Sequence, residues 1–179
     1  MDSEAVLIGG VDLRICRFIR GNRPRRSVET EAVIQMLCDY FGCKVDLSHD
    51  ENGAPFIAGC DKRISISHSK NYAGIAVSQH RVGVDVEEPR AQLRRVADRV
   101  LSVTELSYYG RSDALLLEAW TLKEALYKAA SIPGLDFRRD IVLPLDGNRN
   151  IAMVKGDKYD IVLIDNNDDR CISLVKKSD

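Results

Sequence analysis

The first 80 residues combine short apolar runs, turn residues and one stretch of helical spacing. Two apolar runs flank Gly9-Gly10 within residues 4–19 and predict a β-hairpin. Residues 27–41 carry apolar side chains at intervals of three and four and are followed by Gly42, so they predict a helix that ends there. Asn52-Gly53 and Pro55 then predict turns in the loop segment HDENGAPFI.

Three strand-like runs come next: RISIS at 63–67, YAGIAVS at 72–78 and RVGVDVE at 81–87. The connections between them are short, which favours an antiparallel meander. In RVGVDVE, valines alternate with Asp85 and Glu87, so the two acids leave the same face of the strand. The ordinary alternative to a functional site is a half-exposed strand whose valines point inward and whose acids point outward.

The remainder of the chain predicts helices followed by strands. Pro89 opens a helical region, and SVTE at 102–105 matches a capping box with Glu105 at the third helical position. Residues 113–130 form the longest predicted helix, with Pro133-Gly134 beyond its end. Three further strands are expected in FRRDIVL, in NIAMVK, and in YDIVLIDNNDDRCISLV, which is expected to fold back on itself at Asn166-Asn167.

This order of elements predicts an α+β fold. It divides into two similar halves, residues 1–80 and 81–179, each with antiparallel strands packed on a helix. No low-complexity linker separates the halves, so we expect them to form one compact body, a pseudo-dimer within a single chain.

Composition and charge limit the kinds of partner and location that the sequence predicts. The chain has 179 residues, of which 45% are hydrophobic and 30% charged, as in an ordinary globular protein. A net charge of −1 gives no sign of a nucleic-acid partner, and the absence of a long apolar run or signal peptide predicts a cytoplasmic protein without a membrane segment. The five cysteines show no C-x-x-C spacing and are expected to be reduced thiols.

The strongest chemical signal joins the acidic strand to the longest helix. Trp120, Glu124 and Lys128 are four residues apart and therefore lie along one line of that helix. If the helix packs beside the strand, three carboxylates and one ammonium group converge, which suits Mg²⁺ and phosphate oxygens. The ordinary alternatives are a half-exposed strand and a surface Glu–Lys pair contributing about 0.3–0.5 kcal/mol.

Weaker candidates for phosphate contacts lie outside this pair of elements. His68 follows a strand and is flanked by serines and Lys70, although a lone histidine more often serves as a hydrogen-bonding or capping residue. Gly53 would let the backbone approach a ligand closely, although by default it only forms a turn. Six arginines within residues 14–26 could hold a polyphosphate, and the arginines within 90–99 suit an acidic partner protein.

Taken in order, the segments ENGAPFI, ISISHSKNYAGIAVS, VGVDVE, RVLSVTE and WTLKEALYKAA resemble the 4'-phosphopantetheinyl transferases. The similarity is greater to the two-half type that activates surfactin synthetase, and it covers residues 50–137. It implies transfer of the phosphopantetheine arm of coenzyme A to a serine of an apo acyl or peptidyl carrier protein, with release of adenosine 3',5'-bisphosphate. It also implies a monomer with its site at the seam between the halves.

The resemblance also assigns roles to residues. It implies that Asp85, Glu87 and Glu124 hold Mg²⁺, or Mn²⁺, against the coenzyme A diphosphate, and that Glu124 helps to deprotonate the attacking serine. The catalytic set is Glu124, Lys128 and Asp85, and Glu105 is expected as a further acid near the site. The residues expected to bind coenzyme A are His68 and Ser67 at the 3'-phosphate, together with Lys128, Gly53, Pro55 and Arg26.

Two departures from the family pattern leave an alternative open. Ala54 stands where a basic residue is common, and the N-terminal helix carries Glu29 and Glu31 where an arginine often reaches coenzyme A, so Arg25 or Arg26 would have to substitute. The alternative is a degenerate member of the family that binds coenzyme A or a carrier protein without efficient transfer. A Mg²⁺-dependent phosphohydrolase would use the same carboxylates. The carrier protein itself stays open, because carriers of different pathways share an acidic helix.

Overall fold

A computed structural model of the chain describes residues 3–19, 21–145 and 150–179 and has a mixed α+β fold. Its helices are α1 Arg25–Phe41, α2 Leu93–Val100, α3 Val103–Tyr109, α4 Asp113–Ala130 and α5 Phe137–Asp140. Its strands are β1 Ser3–Ile8, β2 Val11–Arg17, β3 Leu47–His49, β4 Pro55–Ile57, β5 Arg63–His68, β6 Tyr72–Ser78, β7 Val82–Glu87, β8 Ile141–Val142, β9 Ile151–Val154, β10 Asp157–Asn166 and β11 Cys171–Lys177.

The first sheet has the strand order β1-β2-β6-β5, and every neighbouring pair is antiparallel. The predicted N-terminal hairpin is confirmed, with Gly9 and Gly10 in its turn, both at positive φ. Helix α1 packs on one face of this sheet and begins two residues earlier than predicted. Its apolar stripe joins sheet residues in one cluster that includes Val28, Ala32, Met36, Leu37, Ile75 and Val77.

The second sheet has the order β7-β11-β10-β9-β8 and is also antiparallel. Helix α4 packs across it with the bounds that the sequence predicted, and its apolar side chains join Ala152, Val154, Tyr159 and Val175 in the largest core cluster. Ser112 caps the start of α4 by accepting a hydrogen bond from the backbone N of Leu115. No helix among the described residues is both long and apolar enough to cross a membrane.

The two sheets meet where edge strand β5 lies beside edge strand β7. The serine side chains of β5 join them, because the Oγ atoms of Ser65 and Ser67 accept hydrogen bonds from the backbone N atoms of Val84 and Val86 at 3.0 and 3.2 Å. The valines of β7 pack with residues of both sheets in a shared apolar cluster that includes Leu13, Ile15, Ala76, Ile172 and Leu174. Residues of both predicted halves therefore contact each other directly.

The predicted meander is wrong at its third strand. Strands β5 and β6 pair as expected, but β7 pairs with β11 instead of β6. The reason is topological: β6 already has β2 on one side and β5 on the other, so it has no free edge for β7. This crossing to the second sheet brings the acidic strand under helix α4.

Two shorter predictions also need correction. The segment FRRDIVL is a strand only at β8, because Asp136 accepts a hydrogen bond from the backbone N of Arg139 and caps a short helix, α5. The segment around Asn52-Gly53 is more ordered than a loop, since β3 and β4 pair around it. The predicted fold-back of the C-terminal strands is confirmed by the pairing of β10 with β11.

Candidate functional site

Strand β7 presents its two acids to helix α4. Its valines fill the apolar cluster on one face, while Gly83, Asp85 and Glu87 alternate with them and occupy the other. A Cβ at Gly83 would lie 1.9 Å from the backbone O of Ala125, so the absence of a side chain there lets the helix backbone rest against the strand. The acids therefore face a packed helix, as the hypothesis of a shared site requires, and the ordinary alternative of a half-exposed strand with outward-facing acids is wrong.

The line of Trp120, Glu124 and Lys128 on α4 faces this acidic strand. Trp120 Nε1 donates a hydrogen bond to Glu87 Oε1 at 3.0 Å. Lys128 Nζ donates to Asp85 Oδ1 at 2.7 Å and to the backbone O of Val84 at 3.2 Å. Glu124 lies one helical turn from each of these two residues, so the third carboxylate sits between two groups that already touch β7.

The electrostatics of this cluster show an excess of negative charge. Burial, and then the nearby charge of Asp85, raises the pKa of Glu124. Burial and Asp85 raise the pKa of Glu87 in the same way, against the opposing effect of Arg90. Asp85 Oδ2 is buried and has no hydrogen-bond partner among the described residues. Lys128 and Arg90 thus leave part of the carboxylate charge uncompensated.

Arg90 has a role that the sequence did not indicate. Its Nη2 donates to Glu87 Oε1 at 2.6 Å, and its guanidinium lies 5.2 Å from the centre of the Trp120 ring. Arg90 and Trp120 therefore both donate to the same oxygen of Glu87. Sequence reasoning assigned Arg90 to a docking surface, although its position three residues after Glu87 in the chain was a usable signal for a contact.

The carboxylate oxygens of this cluster are the type of ligand that Mg²⁺ prefers. Within residues 3–19, 21–145 and 150–179, no group of three or more His, Cys, Asp and Glu side chains is arranged to hold a metal ion by itself. Mg²⁺, however, is usually held by one or two carboxylates together with substrate phosphates and water. The unpartnered oxygen of Asp85 and the raised pKa values of Glu87 and Glu124 are what such carboxylates show when no cation balances them.

Ser67 belongs to this cluster, while its neighbour His68 does not. Ser67 Oγ donates to Asp85 Oδ1 at 2.8 Å and is 5% exposed. The side chain of His68 leaves the opposite face of β5 and is about half exposed, at 49%. The sequence reasoning placed both residues at one phosphate, whereas the structure turns their side chains apart.

His68 instead meets the start of helix α1. Its Nδ1 is 3.6 Å from Glu29 Oε1, and the same Glu29 oxygen accepts a hydrogen bond from Arg25 Nε. Arg25 also donates to the backbone O of Ser69 at 3.3 Å. Arg26 is exposed and has no hydrogen bond or ion pair with any described residue. Of the two arginines considered from the sequence, Arg25 is the one beside His68.

A cleft of about 1200 Å³ adjoins the cluster at Lys128. It lies between the β3–β4 hairpin and the C-terminal end of α4, and its lining includes Gly53, Pro55, Arg63, Arg81, Tyr127 and Lys128. The turn at its rim is fixed, because Asp50 Oδ1 accepts hydrogen bonds from the backbone N atoms of Asn52 and Ala54, both at 2.9 Å. Gly53 adopts φ +80° in this turn.

Glu105, which was expected as a further acid near the site, instead pairs with Lys123 in the core. Lys123 is 0% exposed, and its Nζ donates to Glu105 Oε2 at 2.9 Å and to the backbone O atoms of Phe137 and Ile141 at 2.7 and 2.6 Å. Glu105 also accepts from the backbone N atoms of Ser102 and Leu143, both at 2.8 Å. The predicted capping box is thus confirmed, and the Lys123–Glu105 pair joins α3 and α4 to the α5–β8 segment.

Comparison with known families agrees with the location of the cluster. A family model described as the 4'-phosphopantetheinyl transferase superfamily matches residues 81–175, more than half of the 179 residues. The match runs from the start of β7 into β11 and so includes Asp85, Glu87, Glu124 and Lys128. No curated protein matches the chain.

Proposed function

The chain belongs to the 4'-phosphopantetheinyl transferase superfamily, and we propose that it transfers the 4'-phosphopantetheine arm of coenzyme A to a serine of an apo acyl or peptidyl carrier protein. The observation that carries this proposal is the convergence of the β7 acids with Glu124 and Lys128 of α4. This cluster has excess negative charge, and the buried Oδ2 of Asp85 has no hydrogen-bond partner among the described residues. The cluster opens at Lys128 on a cleft large enough for a nucleotide donor.

Asp85, Glu87 and Glu124 are the residues that would hold Mg²⁺, with Mn²⁺ as an alternative because both ions prefer oxygen ligands. When bound, the ion would neutralise charge on the diphosphate oxygens of coenzyme A. The hydrogen bonds from Trp120 and Arg90 to Glu87, and from Ser67 to Asp85, orient the two strand carboxylates before any ligand arrives.

The residues of the chain then have distinct tasks in the transfer. The carrier serine oxygen attacks the phosphorus that bears the pantetheine arm, and the bond from that phosphorus to the departing adenosine 3',5'-bisphosphate breaks. Glu124 accepts the serine proton, a task favoured by its raised pKa, because a carboxylate with a higher pKa is a better base. Lys128, which is partly exposed beside the cleft, stabilises negative charge on the phosphate oxygens.

The donor is proposed to extend across the two halves of the molecule. Gly53 and Pro55 line the cleft from the first half, and Lys128 lines it from the second. His68 and Arg25 lie near the start of α1 and are the candidates for the 3'-phosphate, with Arg25 taking the place considered for Arg26. In this proposal the chain is a monomeric pseudo-dimer, and its site lies at the seam where β5 and β7 meet.

The test is the mass of an apo acyl carrier protein after incubation with this protein, coenzyme A and Mg²⁺. We expect a mass gain of one phosphopantetheine group, which is lost in the presence of EDTA. A peptidyl carrier protein provides a second acceptor, because the carrier preference is open. Hydrolysis of coenzyme A without any carrier modification would favour a phosphohydrolase and contradict the transferase proposal.

One observation favours a second candidate, a family member that binds coenzyme A or a carrier protein without efficient transfer. The buried carboxylate of Glu29 lies against His68 and Arg25, where an incoming phosphate would need positive charge. Measurable binding of coenzyme A, together with no mass gain on either class of carrier, would select this alternative.

A further inference from the structure

A small group of polar residues near the start of α1 resembles an anion site that already contains an anion. Arg25 and His68 approach the same oxygen of Glu29, and Arg25 also reaches the backbone O of Ser69. The hydroxyl of Ser69 is buried and has no hydrogen-bond partner among the described residues. Two groups that can carry positive charge therefore meet a single carboxylate, and the residue whose backbone O Arg25 contacts has an unused hydroxyl.

The position of Glu29 follows from the packing of α1 on the first sheet. Glu29 is 7% exposed and follows Val28, which is part of the core of the first half. Arg25 lies one turn earlier on the same helix, at the i, i+4 spacing that favours an ion pair. The carboxylate is thus held in place by the helix, whereas the half-exposed His68 side chain is open to a ligand.

A carboxylate in this place competes with a phosphate for the same partners. Arginine and histidine each donate to phosphate oxygens and to carboxylate oxygens in similar ways. A phosphate brought to His68 would also be repelled by the charge of Glu29 at short distance, in a region where burial weakens solvent screening. Glu29 therefore competes with a ligand for Arg25 and His68.

We propose that Glu29 is a specificity-determining residue that suppresses recognition of the 3'-phosphate of the donor. This proposal rests on the proposed function, because it assumes that coenzyme A is the donor and that its 3'-phosphate is directed to His68. It follows that the protein binds coenzyme A and 3'-dephospho-coenzyme A with similar affinity. Removing the charge of Glu29 frees Arg25 and His68 for the phosphate and creates a preference for coenzyme A.

The chain supplies a matched control on the same helix. Glu31 is exposed, and its partners are Arg23 at 2.8 Å and the hydroxyl of Ser27 at 3.3 Å, where Glu29 has Arg25 and His68. The substitutions Glu29→Gln and Glu31→Gln change the net charge of α1 equally, so any general effect of charge on an anionic donor appears in both. A change in binding that occurs only in Glu29→Gln therefore measures the competition between Glu29 and the phosphate.

The experiment is isothermal titration of the full chain, in the presence of Mg²⁺, with coenzyme A and separately with 3'-dephospho-coenzyme A. The wild-type protein is expected to bind the two donors within about threefold of each other. Glu29→Gln is expected to strengthen binding of coenzyme A about tenfold, equivalent to about 1.4 kcal/mol, and to leave the dephospho donor unchanged. Glu31→Gln should behave as the wild type does.

Other outcomes separate this proposal from the proposed function. A strong preference of the wild type for coenzyme A would overturn the role of Glu29 and leave the transferase proposal intact. Equal changes for both donors in Glu29→Gln would do the same. Binding of neither donor by any variant would overturn the proposed function and this inference with it. Thermal unfolding of each variant checks the fold, and Glu29→Ser repeats the test if Glu29→Gln does not fold.

Discussion

Helix α4 carries two lysines that each meet a buried carboxylate, and the two pairs differ in how completely their polar atoms are satisfied. Lys123 donates to three oxygens, and both oxygens of its partner Glu105 accept hydrogen bonds. Lys128 shares Asp85 Oδ1 with Ser67, while Asp85 Oδ2 has no partner among the described residues. The side chains of the first pair are 0% and 3% exposed, and those of the second are 27% and 6% exposed.

The difference separates a structural pair from a candidate ligand site. A buried pair whose donors and acceptors are all used has no remaining capacity for a ligand, and its loss leaves an uncompensated charge in the core. A buried pair that keeps an unused oxygen beside two further carboxylates destabilises the ligand-free protein. A bound cation or charged ligand can offset this destabilisation. Residues 123 and 124 are adjacent in sequence, yet the rotation of the helix places them in these two different environments.

The largest expected effect tests whether Glu124 is functional, in contrast to its structural neighbour Lys123. Glu124→Gln removes the proposed proton acceptor and one Mg²⁺ ligand while keeping the size of the side chain. We expect carrier modification to fall about 10²–10⁴-fold, the usual contribution of a positioned general base. The measurement is the initial rate of carrier mass gain at saturating coenzyme A and Mg²⁺.

Glu31→Gln, on the exposed side of α1, is the control for that loss of charge. Circular dichroism should show the same secondary structure in both variants. Wild-type activity in Glu124→Gln would remove Glu124 from the mechanism. In that case the comparison between the two pairs would no longer distinguish function from structure.

The second prediction concerns stability and compares the same substitution at the two lysines. Lys123→Met leaves Glu105 buried without its cation and should lower the free energy of unfolding by about 3–5 kcal/mol. Lys128→Met removes a half-buried lysine whose partner keeps the hydrogen bond from Ser67, so the expected loss is about 1–2 kcal/mol. Urea denaturation of both variants in the presence of EDTA measures the difference.

The transfer rate should fall more in Lys128→Met than in Lys123→Met, the reverse of the order expected for stability, when each variant is assayed below its unfolding transition. Folded Lys128→Met should lose most of its transfer rate, because Lys128 is the proposed phosphate contact at the cleft. Folded Lys123→Met should keep much more of it. A larger loss of stability in Lys128→Met than in Lys123→Met would contradict the distinction between the pairs.

Local sequence signals were sufficient for much of the fold and for part of the site. The bounds of α4 followed from apolar spacing, and the capping box at Ser102 and Glu105 is fully formed. The line of Trp120, Glu124 and Lys128 faces β7 because helical periodicity fixes which residues share a face, whatever their tertiary partners. Such features depend on residues only a few positions apart.

The features that the sequence could not indicate all depend on distant partners. Strand β7 joins the second sheet because β6 has no free edge, which is a property of the whole sheet order. Lys123 is structural because Glu105 and the α5–β8 segment enclose it, and Ser67 serves Asp85 because β5 lies beside β7. A possible signal for the approach of α4 was Gly83, since a glycine inside a strand often marks a close backbone contact.

The smallest expected effect is a pH dependence that arises from the carboxylate cluster alone. Burial and the charge of Asp85 raise the pKa of Glu124 in the folded protein above its ordinary value of 4.5, while Lys128 and Arg90 act in the opposite direction. The folded state therefore binds this proton more tightly than the unfolded chain does. The resulting stability is fully present below pH 4.5 and is lost as the pH rises through the raised pKa of the folded state.

Glu124→Gln has no such proton to lose, so in EDTA its stability relative to the wild type should increase between pH 4.5 and pH 7.5. Urea denaturation of both proteins at the two pH values measures this change, and Lys123 and Glu105 are common to both. Mg²⁺ at pH 7.5 should instead stabilise the wild type more than the variant, because the wild type has three carboxylates that can hold the cation and the variant has only two. A relative stability that is the same at both pH values, and unaffected by Mg²⁺, would mean that Glu124 is not part of an uncompensated cluster, and the contrast with the satisfied Lys123–Glu105 pair would fail.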